Sequence, residues 1–406
     1  MRVAVIGGGW AGLAAAIELT AAGAETTLFE AGRALGGRAR GVEIDGRRLD
    51  NGQHILLGAY RETLALMRRV GADPDELFDR RPLQVIDNTG FRLALPRLPA
   101  PLNVAWGLLA TSGVDWKEKV KTAWWMDGIQ RQGFRLALDM TVAQWLDEAG
   151  QTGALRRHLW EPLCLAALNT PAERASAQLF ANVLRDSLGS AHREDTDLLL
   201  PRVDLGQLLP EPAGQWLRAH STQIRLSTRV GQIYDVEGGI DINGETFAAA
   251  ILATAPQHLG ALWPAATTDY GYEPIATVYL KFGPKIKTSF PLINRLGGHS
   301  QWVIDRGDGL LACILSGQGD WEGLNDEALA AALQAELAMP EATSWHKVIR
   351  EKRATFSARP GLNRPDFQTS NPRLLLAGDH TWSDYPATLE GAVRSGLRAA
   401  RRLLAG

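Results

Sequence analysis

Hydrophobic and polar positions at the start of the chain predict a strand, a helix and a second strand in succession. Arg2–Ile6 is a mostly apolar run rich in β-branched residues, as in a buried parallel strand. A glycine cluster follows, and residues 13–22 then have helical character, with Gly23 as the expected end of the helix. Glu25–Phe29 predicts the second strand. The first 30 residues therefore predict a βαβ-type opening.

Farther along the chain, helical and strand patterns fall into separate blocks. Helical spacing is found in residues 60–70, dominates from 116 to 188, and returns in residues 326–337 and 389–404. The expected strands are residues 224–226, 229–236, 240–242, 249–253, 276–282, 302–305, 310–315 and 374–377. Prolines and aromatic residues become frequent after residue 79, which indicates an insertion.

This order predicts an α/β fold with a discontinuous Rossmann-like nucleotide-binding domain and an inserted α+β domain. The nucleotide-binding domain is expected to comprise residues 1–80, 205–255 and 355–406. Residues 81–204 and 256–354 are expected to form the inserted domain, which would bind the substrate. A chain of 406 residues is long enough for two or three structural units.

Composition and charge exclude several classes of protein. The 43 basic and 45 acidic residues give a net charge of −2, which argues against nucleic-acid binding through phosphate contacts. The two cysteines and eight histidines show no disulfide or metal-ligand spacing, so no metal site is expected. A cytoplasmic location is expected, because the chain runs from Met1 into a strand without a secretory signal. The longest uncharged stretches, residues 98–114 and 246–268, contain prolines and do not predict a transmembrane helix.

The first motif with chemical meaning is Gly7-x-Gly9-x-x-Gly12, between the first strand and the first helix. Gly7 permits a tight turn, Gly9 lets a pyrophosphate approach the backbone, and Gly12 lets the helix pack closely on the strand. The N-terminus of the helix then faces the phosphates. Glu30, at the end of the second strand, is placed to accept the hydroxyl groups of a ribose. The spacing predicts a dinucleotide site.

Two further motifs favour FAD over NAD. The glycines of residues 35–40 let the backbone pass a cofactor, and Arg38 offers donors that neutralise a phosphate. Gly378 and Asp379 end a buried strand and precede a helix that begins at Leu389. An acid there can bind the ribityl hydroxyls of a flavin, and the helix N-terminus can face its pyrophosphate or its ring. The simpler alternatives are an ordinary glycine turn and an acid at a strand end.

The order of these three motifs resembles the flavin amine oxidase and phytoene desaturase superfamily. Within it, residues 50–54, 160–171 and 378–392 are similar to the squalene-associated FAD-dependent desaturases of bacterial hopanoid pathways, the hydroxysqualene dehydroxylases. The resemblance implies FAD as the cofactor and an isoprenoid lipid, hydroxysqualene, as the substrate. The reaction that it implies is reductive removal of the hydroxyl group to give squalene.

The same resemblance implies a set of FAD contacts. The pyrophosphate would be lined by Gly7, Gly9, Ala11 and Gly12. The adenosine half would be bound by Glu30, Ala31, Arg33 and Val230. The phosphates and the ribityl chain would meet Gly37 and Arg38. The flavin half would be held by Gly378, Asp379, Leu389 and Ala392, with the isoalloxazine near Gly52, Gln53 and His54.

One departure separates this chain from amine oxidases. Those enzymes tend to place a lysine on the strand that begins here near Ile275, where it holds a water against the flavin. Ile275, Ala276 and Thr277 occupy this region, and Lys281 comes late in the run. The departure disfavours amine oxidation.

The predicted insertions are rich in leucine and tryptophan, which suits a long hydrocarbon, because each buried CH₂ gains roughly 0.8 kcal/mol. The tryptophans are Trp106, Trp116, Trp124, Trp125, Trp145 and Trp160. For any one of them, a position in the core is the simpler explanation. Residues 98–109, followed by Lys117, Lys119 and Lys121, are candidates for peripheral contact at the inner face of the membrane, and a solvated or domain-packed segment is equally open.

Loss of hydroxide from an allylic carbon needs a proton donor. Glu161 is one candidate, because its neighbours Trp160, Pro162 and Leu163 are apolar and an apolar pocket keeps a carboxylic acid neutral. His54, near the flavin, is the other. The alternatives are a surface or helix-terminal acid for Glu161 and a structural histidine for His54.

Two other functions stay open besides the dehydroxylase. One is a carotenoid-type isoprenoid desaturase, and the other is a non-catalytic, flavin-bound lipid carrier in a squalene-making complex. Catalytic turnover would distinguish either enzyme from the carrier. Formation of a deoxygenated product with reduced flavin would distinguish the dehydroxylase from the desaturase. Since the chain has one dinucleotide fingerprint, its electrons are expected from an external donor.

Overall fold

The computed structural model describes residues 1–264 and 270–405 and contains twenty strands and thirteen α-helices in that part of the chain. The strands are β1 Arg2–Ile6, β2 Glu25–Phe29, β3 Gly41–Ile44, β4 Arg47–Asp50, β5 Leu56–Leu57, β6 Phe78–Arg81, β7 Gln84–Ile86, β8 Arg92–Ala94, β9 Leu198–Pro201, β10 Gln223–Arg225, β11 Ile233–Val236, β12 Gly239–Ile242, β13 Glu245–Phe247, β14 Ala249–Leu252, β15 Tyr272–Lys281, β16 Leu292–Asn294, β17 Trp302–Asp305, β18 Leu310–Ser316, β19 Trp345–Phe356 and β20 Leu374–Leu376. The helices are α1 Trp10–Ala21, α2 Arg61–Arg69, α3 Pro74–Leu77, α4 Leu102–Ala110, α5 Trp116–Arg131, α6 Val142–Glu148, α7 Glu161–Leu168, α8 Ala177–Asp186, α9 Leu205–Leu208, α10 Pro210–Ala219, α11 Leu259–Leu262, α12 Asp326–Leu337 and α13 Leu389–Leu404.

A five-stranded parallel sheet with the order β10-β2-β1-β14-β20 draws its strands from three distant parts of the chain. Strands β1, β14 and β20 are almost continuously apolar because both faces of the sheet are covered there. Helices α1, α10 and α13 pack on one face, and the small antiparallel sheet β11-β12-β13 packs on the other. This arrangement confirms the predicted α/β, Rossmann-like class.

A second five-stranded sheet, which is antiparallel and separate from the parallel sheet, has the order β16-β17-β18-β15-β19. Helix α12 covers one of its faces with an apolar cluster of its own. The opposite face shares a hydrophobic cluster with helices α4 to α8. The two ends of the first predicted insertion meet, because β6 and β9 pair with each other in antiparallel register.

Several predicted elements have the bounds that the pattern indicates, among them α12, α13 and β17. The longest strand, β19, is absent from the predictions, because it is the edge strand of its sheet and carries six charged or ionisable residues between Trp345 and Ala354 that hide its periodicity.

The predicted segment 256–354 includes residues 265–269, which lie outside the described residues. The domain boundaries stay a prediction. Within the described ranges, no helix combines the length and the apolar character needed to cross a bilayer.

Candidate active site

A cavity of about 730 Å³ begins at the carboxyl ends of the parallel strands, where β1, β2, β14 and β20 stop, and extends to the antiparallel sheet. Parallel α/β sheets bind their ligands at this edge. Most of the residues predicted to contact FAD line the cavity. They are Gly7, Gly9, Ala11, Glu30, Ala31, Gly37, Arg38, Gly52, Gln53, His54, Val230, Gly378, Asp379, Leu389 and Ala392.

Two predicted cofactor residues do not line the cavity. A Cβ atom at Gly12 would lie 1.8 Å from the carbonyl oxygen of Gly7, so Gly12 permits the close packing of α1 on β1. Arg33 is exposed on the surface. The structure thus supports a packing role for Gly12 and gives no support to a cofactor contact by either residue.

The N-terminus of α1 opens on the cavity. Gly9 caps the helix without a side-chain hydrogen bond, so the amides of the first turn have no side-chain acceptor. A Cβ atom at Gly9 would have only the Cα of Gly37, at 4.0 Å, within contact distance. The loop after β2 is held beside this turn by the bond from the Gly36 N–H to the Gly8 carbonyl, at 2.8 Å. The result is a backbone-lined space that fits a pyrophosphate.

Glu30 lies at the end of β2 and is held by the loops on both sides of it. Its carboxylate accepts from the Gly8 N–H at 2.7 Å and from the Gly32 N–H at 2.6 Å. Each carboxylate oxygen has a second lone pair to offer. This geometry is suited to accepting hydroxyl groups of a ribose.

Arg38 and Asp379 form an ion pair that joins the first and the last parts of the chain. The Nη2 atom of Arg38 lies 2.8 Å from both carboxylate oxygens of Asp379, and Nη1 donates to the Ala354 carbonyl at 2.7 Å. Burial would raise the pKa of Asp379, but the Arg38 and His380 side chains outweigh it and hold the pKa well below its ordinary range. Arg38, predicted to neutralise a phosphate, is therefore already engaged by Asp379.

Residues 50–54 form the turn beside the antiparallel sheet. In the amide orientation that satisfies both neighbours, Gln53 donates to Asp50 Oδ2 at 3.1 Å and accepts from Arg306 at 3.2 Å. The backbone N–H of Gln53 donates to Thr277 Oγ1 at 3.3 Å. These contacts fix the turn against β15, so that Gln53 and Thr277 line the same part of the cavity.

His54 is not arranged to donate a proton. Burial lowers its pKa, the bond to the Gly52 carbonyl raises it, and the charge of Arg38 lowers it again, with a net decrease. The ring is therefore neutral at physiological pH. Its Nδ1 lies 2.6 Å from the Gly52 carbonyl oxygen, so Nδ1 carries the proton and Nε2 is an acceptor.

Glu161 does not line the cavity either. Its carboxylate accepts from Nε of Arg156 at 2.7 Å, and its side chain is about one-third exposed (34%). Arg156 also pairs with Asp147. The side chain belongs to an ion-pair group, so the geometry gives no support to Glu161 as the proton donor.

The part of the cavity next to the antiparallel sheet is mainly apolar. Its walls include Leu83, Val85, Leu159, Leu163, Ala166, Ala167, Ile275, Leu292, Trp302, Ile314 and Ile349. The six tryptophans considered from the sequence are elsewhere. Trp125 packs edge-on against Trp145 and Trp160 in the core, at 5.0 and 5.4 Å, and Trp106, Trp116 and Trp124 are exposed. Aliphatic side chains, chiefly leucine and isoleucine, therefore form most of this wall, together with Trp302.

The structure adds polar residues that sequence reasoning missed. Thr254 lies two residues after the end of β14, and its Oγ1 is buried beside the cavity without a hydrogen-bond partner among the described residues. Its position after a buried parallel strand was the available signal. Tyr60, Glu351 and Tyr385 also line the cavity. With the open helix N-terminus, the Glu30 carboxylate and the unpartnered Thr254 hydroxyl, the residues present fit a dinucleotide flavin.

Comparison with known proteins agrees with this geometry. The family model described as flavin containing amine oxidoreductase matches residues 10–404. The chain is 30% identical to a hydroxysqualene dehydroxylase of Rhodopseudomonas palustris over 99% of this chain and 98% of that protein. It is 24% identical to a zeta-carotene desaturase of Synechocystis over 100% and 97%. An oxidoreductase structure from Methanosarcina mazei has the same fold, with a TM-score of 0.74, 13% identity, and coverage of 99% of this chain and 100% of that one.

The family match confirms the predictions of an oxidoreductase with FAD as its cofactor. It begins at Trp10, after β1, and covers the other four strands of the parallel sheet and the whole antiparallel sheet that faces the cavity. The chain belongs to the flavin-containing amine oxidoreductase family.

Proposed function

We propose that this enzyme removes the hydroxyl group of hydroxysqualene reductively and forms squalene. The observation that carries the proposal is the continuity of the cavity, which runs from the residues that fit FAD into mainly apolar walls. A hydrocarbon of this kind offers few groups for hydrogen bonding, so burial of apolar surface has to supply its binding energy. The full-length similarity to a dehydroxylase of this name also supports the proposal.

The residues that would hold FAD follow from their places around the cavity. The turn at Gly7 to Gly9 and the N-terminus of α1 would meet the pyrophosphate, Glu30 the adenosine ribose, and Asp379 the ribityl chain. When bound and reduced, the flavin supplies a hydride to the substrate. The apolar side chains of the cavity keep water away from the reacting carbon, and Gln53 is held in place by Asp50 and Arg306.

Amine oxidation is disfavoured by the residues of the cavity. No lysine lines it among the described residues. Lys281 lies at the far end of β15, where it pairs with Asp308 at 2.7 Å. Ile275 and Thr277 occupy the cavity side of the strand, so this wall offers no charged amine to hold a water.

We also propose that the enzyme is cytoplasmic and contacts the inner face of the membrane through a surface that we call the α4–α5 face. This face consists of Leu102, Trp106 and Leu109 on α4 and Trp116, Val120 and Trp124 on α5, all exposed. Spacings of three or four residues place each set on one side of its helix. Arg97, Lys117 and Lys121 are exposed around it, as suits anionic lipid head groups. The inward-facing Leu108 and Ile129 belong to the hydrophobic cluster that contains the cavity-lining residues Leu83 and Val85, so α4 and α5 pack on the same core as this wall of the cavity.

A product analysis with reduced enzyme tests the proposed reaction. We expect dithionite-reduced, flavin-loaded protein to convert hydroxysqualene to squalene anaerobically, with about one product per flavin in a single turnover. Oxidised protein should form none. Product would be identified by mass spectrometry, and heat-denatured protein is the control.

The zeta-carotene desaturase similarity makes a desaturase the second candidate. For that reaction, oxidised rather than reduced protein would act on a carotenoid precursor and leave hydroxysqualene unchanged. A third outcome, tight binding of hydroxysqualene without turnover in either redox state, would indicate a lipid carrier.

A further inference from the structure

Four carboxyl groups line the cavity among the described residues: Glu30, Asp186, Glu351 and Asp379. Three of them are engaged. Glu30 accepts two backbone N–H groups at the adenosine end, Asp379 is paired with Arg38, and Asp186 is bound by Arg185 and by the Tyr385 hydroxyl. Among the residues that the structure describes, Glu351 accepts only the backbone N–H of Arg353, at 3.2 Å, and takes part in no ion pair.

Glu351 lies in the part of the cavity that faces the predicted flavin half. It is directly opposite Ile275 in the pairing of β19 with β15, and Ile275 is opposite Ser316 in the pairing of β15 with β18. Directly opposed residues of an antiparallel pair project on the same face, and all three line the cavity. Thr277, two residues after Ile275 on β15, accepts a hydrogen bond from the Gln53 N–H. The carbonyl of Ala354, three residues after Glu351 on β19, accepts a hydrogen bond from Arg38. Glu351 is therefore flanked by the two groups of residues predicted to contact the flavin.

We propose that Glu351 is the acid that protonates the hydroxyl group as it leaves. This inference rests on the proposed dehydroxylation. The carbon–oxygen bond breaks with its electron pair on oxygen, the Glu351 proton passes to that oxygen, and water is released. The carbon accepts a hydride, with its two electrons, from the reduced flavin, which an external two-electron donor restores. Glu351 then regains a proton from solvent, which it reaches because it is half-buried on an edge strand.

The guanidinium of Arg38, which lines the same cavity, is paired with both carboxylate oxygens of Asp379 rather than with Glu351.

The test compares leaving groups. Glu351→Gln keeps the shape of the side chain and removes the acid, and Glu43→Gln makes the same exchange at an exposed position on β3. With reduced, flavin-loaded protein we expect Glu351→Gln to slow the conversion of hydroxysqualene by about 10²-fold or more. The acetate ester of hydroxysqualene needs no proton to lose its leaving group, so we expect it to react within about tenfold of the unmodified enzyme. Flavin content, the flavin absorbance spectrum and the Kd of hydroxysqualene for oxidised protein should not change.

Each outcome has a separate meaning. Equal losses on the alcohol and the ester would assign Glu351 a structural role and overturn the proposal, as would full activity of Glu351→Gln on the alcohol. Glu351→Asp, which keeps an acid on a shorter side chain, should recover part of the alcohol reaction even if Glu351→Gln folds poorly. If the unmodified reduced enzyme converts neither compound, the proposed function fails first and Glu351 loses its role with it.

Discussion

Glu30 is the residue on which the adenosine end of the FAD site depends. Its carboxylate accepts the Gly8 and Gly32 N–H groups at the end of β2. Glu30→Arg would replace acceptors with donors and leave both amides without their partner. We expect FAD affinity to fall by about 10-fold to 100-fold, since a lost hydrogen bond to a charged group is worth roughly 1.5–3 kcal/mol. Flavin titration of the apoprotein measures the change.

The same exchange at Glu43, an exposed residue of β3, is the control for the charge reversal. It should leave the affinity unchanged. An unaltered flavin content in Glu30→Arg would remove Glu30 from the proposed cofactor contacts.

Asp50 predicts a pH dependence of stability. Burial raises its pKa to about 6, although Arg306 and the Leu205 N–H act in the opposite direction. A folded-state pKa above the ordinary 3.8 means that the contribution of Asp50 to stability is complete below pH 3.8 and is lost as the pH rises through about 6. Asp50→Asn keeps an oxygen for the Leu205 N–H, which lies 2.7 Å from Asp50 Oδ1. The variant should therefore gain stability relative to the unmodified protein between about pH 4 and about pH 7.5, by at most about 3 kcal/mol.

Urea unfolding of both flavin-loaded proteins across this range measures the difference in the free energy of unfolding. A difference that does not change with pH would show that Asp50 does not titrate in this window. Asp379, whose pKa is lowered, has the opposite sign and loses its contribution only in acid.

Helices α4 and α5 form the element that we expect to contact lipid. The Nζ atom of Lys119 ties them together by donating to the carbonyls of Leu109 and Thr111 at 2.8 and 2.6 Å. Trp106→Glu combined with Trp124→Glu places two charges on the α4–α5 face. We expect binding to anionic liposomes to fall by at least about tenfold while flavin content stays the same. Co-sedimentation with liposomes is the measurement.

Tyr234→Glu is the matched control, because Tyr234 is also an exposed aromatic residue (55%) but lies on the small sheet β11-β12-β13. It should bind liposomes as the unmodified protein does. If the unmodified protein binds neither anionic nor neutral liposomes, the substrate has to reach the enzyme through a carrier or a partner.

The whole molecule offers one dinucleotide fingerprint, which predicts about one FAD per chain and a separate electron donor. We expect purified protein to be yellow and NADPH alone to reduce its flavin poorly under anaerobic conditions. The flavin absorbance should stay nearly constant with NADPH and bleach with dithionite, which is the control. Rapid bleaching by stoichiometric NADPH would contradict the prediction and indicate a nicotinamide site that the sequence does not reveal.

The sequence by itself determined the elements whose periodicity reflects burial. Strand β1, helix α1 and the Gly7-x-Gly9-x-x-Gly12 turn follow from the local sequence, because a buried strand, a largely buried helix and a tight turn each restrict the residues that can occupy them. The order of the cofactor motifs along the chain was sufficient to predict FAD, and most of the predicted contacts do line one cavity.

Only the tertiary structure decided how side chains far apart in sequence meet. Arg38 and Asp379 are 341 positions apart, and nothing local to either predicts that they pair rather than bind a phosphate. Glu161 has apolar neighbours in sequence but turns toward Arg156, while Glu351 lies in a charged edge strand whose pattern resembles a solvated loop. The direction in which a side chain points, and hence its chemistry, depends on which strands lie next to it. Sheet pairing between distant segments decides which strands are neighbours, and local periodicity carries no information about this pairing.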